Sequence, residues 1–95
     1  MSVKVGIILL LVSAIVSPRQ AKIGCRSYEK ENILRECEDE IKPGDGDVYP
    51  GLYSDCCWAV RAVPLKDMDC IVRLLTPEEK KMHDESKIRR LKHRC

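Results

Sequence analysis

Six cysteines are the residues with the clearest chemistry: Cys25, Cys37, Cys56, Cys57, Cys70 and Cys95. An even number in a short chain is typical of a disulfide framework. Cys56 and Cys57 are adjacent, and neighbouring side chains on a helix point about 100° apart, so each needs a different partner. A core in a domain of roughly 70–80 residues rarely contributes more than ~3–5 kcal/mol. Bridges of roughly 2–4 kcal/mol each would therefore supply much of the stability.

The sequence offers weaker evidence for metal binding or catalysis than for disulfide bonds. The adjacent pair is the only close pair of cysteines, and His83 and His93 lack zinc-finger spacing. Ser54-Asp55 has no histidine nearby, so a catalytic triad could form only through the fold. A small domain with oxidised cysteines has little room to desolvate a reaction. We expect no metal, no cofactor and no enzymatic activity.

Residues 1–21 are predicted to be a signal peptide. Met1–Lys4 is a short basic start, and an apolar run of twelve residues follows at Val5–Val16. A membrane span needs roughly 20 residues, so this run predicts a secretory signal and no stable membrane span. Small residues place the cut between residues 14 and 21. Residues 22–95 would then be a secreted, extracellular domain.

The charge balance argues against nucleic acid as a partner. The chain has 17 Lys and Arg against 15 Asp and Glu, and two of the bases, Lys4 and Arg19, lie in the predicted signal. The remainder is neutral overall, which does not suit a polyanionic partner. Bases are concentrated in the run Lys87–Arg94. This run would suit an acidic partner, although a solvated helix face is the simpler interpretation.

Apolar residues recur three or four positions apart, which predicts an all-α domain of four helical segments. The segments are predicted at Ser27–Ile41, Leu52–Val63, Leu65–Leu75 and from Thr76 onwards. The second is expected to bury Leu52.

Loop and cap signals separate these segments. Lys42–Gly51 contains two prolines and three glycines and is predicted to be a solvated loop. Thr76, Pro77 and Glu79 form a strong helix start with a capping box. Ser86 is a weaker second cap, predicted to open a helix over Lys87–Arg94.

The order of the cysteines, with an adjacent pair in the middle, resembles the plant lipid-transfer, seed-albumin and amylase/trypsin-inhibitor superfamily. That superfamily usually has eight cysteines, and Val72 stands where the second cysteine of its C-x-C segment would be. Cys37-Glu-Asp-Glu-Ile41 and Cys56-Cys57-Trp58-Ala59 are similar to the six-cysteine, prolamin-like variant. The resemblance implies a four-helix disulfide-rich bundle. It also implies the bridges Cys25–Cys70, Cys37–Cys56 and Cys57–Cys95.

Three functions are consistent with this reading. The first is a secreted carrier of a lipid or other apolar small molecule, with candidate lining residues Leu34, Val60, Ile71, Val72 and Leu75. The second is a secreted interaction or signalling protein of plant reproductive tissue, with a solid core and a cell-surface protein as partner. The third is a protease or amylase inhibitor that uses the loop Lys42–Gly51. In that loop Lys42-Pro43 would be a poor trypsin site.

We predict that the exported protein begins between residues 15 and 22 and has no free thiol, because a signal peptide is removed and all six cysteines pair. Intact-mass measurement before and after reduction and alkylation tests both points. Six reactive cysteines, or a retained Met1, would contradict the prediction.

Overall fold

A computed structural model describes residues 24–95, which contain five α-helices, two 3₁₀ helices and, within that range, no β-strand. The α-helices are α1 (Ser27–Glu36), α2 (Asp55–Ala62), α3 (Met68–Arg73), α4 (Pro77–Met82) and α5 (Glu85–Arg94). The 3₁₀ helices are Glu38–Ile41 and Pro64–Lys66. The predicted all-α class is thus confirmed, with five helices in place of four. The predicted signal peptide and its cleavage site lie outside the described residues.

The first two helices are shorter than predicted. α1 ends at Glu36, because Cys37 leaves the helical region at φ −108° and ψ 20°, and the chain continues as a 3₁₀ turn to Ile41. α2 begins at Asp55, because the hydroxyl of Ser54 accepts a hydrogen bond from the Cys57 amide and caps the helix. The predicted start at Leu52 was wrong. That side chain lies in the preceding loop and is 58% exposed.

The third helix starts at Met68 and not at Leu65. Leu65 and Lys66 have φ of 59° and 51°, a left-handed conformation that a continuous helix cannot contain. The carboxylate of Asp67 then caps α3 by accepting from the Cys70 amide at 3.1 Å.

The capping box predicted at Thr76 and Glu79 is confirmed at the start of α4. The cap predicted at Ser86 was wrong. α5 is capped two residues earlier by Asp84, which accepts from the Lys87 amide at 3.0 Å. An acidic cap outcompetes the serine, whose hydroxyl donates to Asp84 instead. The intervening His83 is extended and separates α4 from α5.

Three disulfides join the helices, and two of them start from α2. Cys56 is bonded to Cys37 at the end of α1, with Cα atoms 4.7 Å apart. Cys57 is bonded to Cys95 after α5, with Cα atoms 5.1 Å apart. The third bridge, Cys25–Cys70, ties the segment before α1 to α3. These are the three pairs that the resemblance implies, and α2 is fixed to both α1 and α5.

The core consists of aliphatic side chains, methionine and cystine. Apart from cysteines, eight of its residues are no more than 1% exposed: Ile33, Ile41, Val60, Val63, Met68, Ile71, Ile88 and Leu91. α5 packs against α3, α2 and the 3₁₀ turn Glu38–Ile41, while α1 packs against α2. Within residues 24–95 no helix is long and apolar enough to cross a membrane.

A largely buried ion pair attaches α4 to α1. The ammonium of Lys30 donates to both carboxylate oxygens of Glu79, at 2.9 and 3.2 Å. Glu79 also accepts from the backbone amide of Thr76. That amide and Lys30 hold the pKa of Glu79 below its ordinary value of 4.5. The hydrogen bond to Glu79 in turn raises the pKa of Lys30 above 10.5.

The basic run Lys87–Arg94 holds the glycine-rich loop against α5. The Lys87 ammonium is buried and donates to the carbonyls of Lys42 and Gly44, at 2.7 and 2.9 Å. Arg90 and Arg94 both reach Asp47, at 3.3 and 3.6 Å. Much of the positive charge of this run is therefore used inside the molecule.

We predict that replacing both Cys57 and Cys95 by alanine lowers the free energy of unfolding by about 3–4 kcal/mol, because the bridge closes a loop of 38 residues. The double substitution avoids leaving a buried free thiol. Chemical denaturation measures the change. A loss below roughly 1 kcal/mol would show that this bridge restricts the unfolded chain little.

We also predict an acid-sensitive stability. The backbone amide of Lys87 lowers the pKa of Asp84 from its ordinary 3.8, as Thr76 and Lys30 do for Glu79. A carboxylate with a lowered pKa stabilises the fold above its unfolded-state pKa and loses this effect as pH falls through its folded-state pKa. Unfolding free energy should therefore decline as pH drops below about 4.5.

The double variant Glu79→Gln, Asp84→Asn tests the assignment, because glutamine can complete a capping box and asparagine can cap a helix without a charge. Its unfolding free energy should decline less steeply in acid than that of the wild type. Equal acid slopes would contradict the assignment.

Candidate interaction surface

All four aromatic residues of the chain lie on its surface. The sequence contains one tryptophan, three tyrosines and no phenylalanine. Tyr28, Tyr49, Tyr53 and Trp58 are 60%, 65%, 88% and 64% exposed. Aromatic side chains usually bury 150–250 Å² each and dominate protein cores. Here the folded core excludes every one of them.

Three of these aromatic residues and two aliphatic side chains are exposed within one short stretch of the sequence. The aromatic patch comprises Val48, Tyr49, Leu52, Tyr53 and Trp58, all more than half exposed. They span only eleven positions, from the end of the glycine-rich loop to the first turns of α2. Large apolar side chains that stay exposed together in one short segment are candidates for an interaction site.

Two arginines hold the ends of the aromatic patch in place. The guanidinium of Arg94 lies 3.8 Å from the ring centre of Tyr49 and donates to its hydroxyl at 3.0 Å. Arg61 lies 5.5 Å from the ring centre of Trp58 and donates to the Cys95 carbonyl at 3.4 Å. The bridge Cys57–Cys95 joins α2, which carries Trp58 and Arg61, to α5, which carries Arg94, and cation–π contacts restrain both rings.

A groove of about 300 Å³ runs beside Trp58, between α1 and α2. Trp58, Ala59 and Ala62 line it from α2. Asn32, Arg35, Glu36 and Asp55 supply its polar side. Arg35 donates to the Asn32 amide oxygen at 2.7 Å and to Glu36 at 3.1 Å, so these three side chains are oriented before any ligand binds. A second hollow of about 210 Å³ lies between α3 and α5, beside Asp67 and Arg89.

The five candidate lining residues of the carrier hypothesis lie together, but as tightly packed core. Val60, Ile71, Val72 and Leu75 are at most 6% exposed and belong to one apolar cluster. Leu34 is half-buried and packs against that cluster. None of the five lines either of the two hollows described above.

The residues considered for catalysis or metal binding either make structural hydrogen bonds or lie on different elements. The Ser54 hydroxyl caps α2 and donates to the Gly51 carbonyl at 2.7 Å. His83 follows α4, whereas His93 is exposed near the end of α5. Among the described residues no group of three or more His, Cys, Asp or Glu side chains could hold a metal ion.

The sequence reasoning missed the aromatic patch, although a signal for it existed. Each predicted helix had an apolar face, and not one of those apolar positions is aromatic. A chain that keeps its only tryptophan and all its tyrosines off its apolar faces must display them elsewhere.

Comparison of the chain with protein-family models, with curated proteins and with solved structures finds no match.

We predict that Val72→Ala lowers the free energy of unfolding by about 1–3 kcal/mol, because it removes packed methyl groups from the core. Val48→Ala, the same exchange on the exposed patch, is the matched control and should change stability by no more than about 0.5 kcal/mol. Denaturant titration measures both. Equal small effects would indicate a loosely packed interior.

Proposed function

We propose that this is a secreted, non-enzymatic interaction protein that binds a partner at a cell surface through the aromatic patch. One observation carries the proposal: the core is aliphatic and cystine-rich, while every aromatic side chain is exposed. Keeping Tyr53 and Trp58 in water has no benefit for folding. Their exposure is useful if a partner covers them.

The composition of the aromatic patch supports recognition by contact. Residues that dominate binding energy at protein interfaces are enriched in tryptophan, tyrosine and arginine. Trp58 with Arg61 and Tyr49 with Arg94 provide this combination on neighbouring elements. A rigid patch also loses less conformational freedom on binding than a mobile one.

The disulfides and the predicted signal peptide support secretion. Three bridges in a small domain suit an oxidising compartment, where such bonds persist. The superfamily resemblance points the same way.

The other two functions have less support. A carrier needs space between its helices, and the residues expected to wall that space are packed core. An inhibitor of the type considered needs a free reactive loop. In this chain Lys87, Arg90 and Arg94 hold the loop Lys42–Gly51 against α5.

Site-specific photo-cross-linking tests the proposal. A photoreactive phenylalanine analogue replaces Tyr53 in the patch or, as a matched control, the exposed Tyr28 on α1. On intact cells of the expressing tissue, the residue 53 probe should form a discrete adduct that unlabelled protein competes away. The residue 28 probe should form much less of it. Absence of a competed adduct at residue 53, or equal labelling from both positions, would contradict the proposal.

Displacement of a fluorescent fatty acid separates this function from the carrier. Because the interior is packed, we expect no saturable binding. Saturable, stoichiometric binding at micromolar concentration would contradict the proposal and support a carrier.

A further inference from the structure

We infer that the groove between α1 and α2 binds a neutral oligosaccharide, with a sugar ring seated against Trp58. This inference rests on the proposed function and names the chemistry of one partner group. It follows from the size of the groove, its set of hydrogen-bonding groups, its charge and the position of the indole.

The groove has room for a small polar ligand. It is a shallow groove, open to solvent, with a volume of about 300 Å³, so a ligand would lie across the surface and remain partly hydrated. Ala59 and Ala62 leave this room, because larger side chains at either position would occupy it. The bridge Cys37–Cys56 joins the end of α1 to the start of α2 and keeps the two walls at a fixed separation.

The polar side of the groove offers both donors and acceptors. The oxygen of the Asn32 amide accepts from Arg35, which leaves the amide nitrogen to donate to a ligand. The carboxylate of Asp55 also lines the groove and can accept hydrogen bonds from a ligand. Each sugar hydroxyl donates one hydrogen bond and accepts others, so it can use both kinds of group.

Charge favours a neutral ligand over an ionic one. Glu36 and Asp55 repel anions such as sulfated or uronic sugars. Cations would ordinarily be attracted to an indole, but Arg61 already lies 5.5 Å from the ring centre of Trp58 and Arg35 stands in the groove. Glu36 and Asp55 are balanced by Arg35 and Arg61, so the groove has no net charge that would select a cation such as a lysine of a partner peptide. A neutral sugar needs no opposite charge in the groove and can bind through hydrogen bonds alone.

Trp58 provides the apolar wall that a sugar ring needs. The C–H groups on one face of a pyranose form an apolar surface, and a flat exposed aromatic ring can cover them. Trp58 is 64% exposed and lines the groove, and its contact with Arg61 limits its rotation. Apolar contact with the indole and hydrogen bonds to Asn32 and Asp55 can therefore act on one sugar.

A glycan array carrying neutral, anionic and amino oligosaccharides tests the inference, followed by isothermal titration with the best neutral binder. We expect binding to a set of neutral glycans only. Trp58→Ala should abolish it, and Asn32→Ala or Asp55→Asn should weaken it by about tenfold or more through loss of a hydrogen bond. Tyr28→Ala, which removes an exposed aromatic residue outside the groove, should bind as the wild type does.

Because Trp58 is the only tryptophan, its fluorescence in the wild type should change on saturation with the same dissociation constant as the calorimetric titration. Binding of no neutral glycan, preference for a charged one, or unchanged affinity in folded Trp58→Ala and Asn32→Ala would overturn the inference. If glycans fail but the residue 53 probe still labels a cell-surface protein, the groove assignment alone is wrong. If both fail, the proposed function is wrong as well.

Discussion

The adjacent cysteines Cys56 and Cys57 are the constraint on which the rest of the structure depends. Two neighbouring residues on α2 point in different directions, so their bridges reach Cys37 at one side and Cys95 at the other. α1 and α5 are thereby fixed to the same short helix. An eight-residue helix would be marginal alone, but here it is held covalently at two points.

This covalent frame explains why the core can do without aromatic residues. Stability that a larger protein obtains by burying tryptophan and tyrosine comes here from cystine and aliphatic packing. Ion pairs and hydrogen bonds attach the remaining pieces, with Lys30–Glu79 holding α4 and Lys87 holding the glycine-rich loop. The aromatic residues are then available for the recognition proposed above, and the bridge to Cys95 joins α2, which carries Trp58, to α5, whose Arg94 contacts Tyr49.

Local signals in the sequence predicted much of the fold but not the surface. Helical spacing and the capping box at Thr76 predicted the helical class and the start of α4, because both depend on residues close in the chain. Helix ends were less predictable, since Asp84 and Ser86 compete for one cap and the left-handed backbone at Leu65 and Lys66 has no glycine or asparagine to indicate it. The role of the basic run Lys87–Arg94 is also explained only by the fold, which pairs Arg89 and Arg90 of α5 with Asp69 and Asp47. Helical spacing did contain the signal that no aromatic residue lies on an apolar helix face, but where the exposed aromatic side chains lie relative to one another depends on how the helices are joined.

The central claim, that a disulfide-held aliphatic core displays all the aromatic residues, can be tested by photo-chemically induced dynamic nuclear polarisation, an NMR method that enhances only solvent-accessible tyrosine, tryptophan and histidine. The folded protein should show enhanced signals from Tyr28, Tyr49, Tyr53 and Trp58, as the reduced and denatured chain does. Signals from Tyr53 or Trp58 that emerge only after unfolding would place these rings in the core and contradict the account.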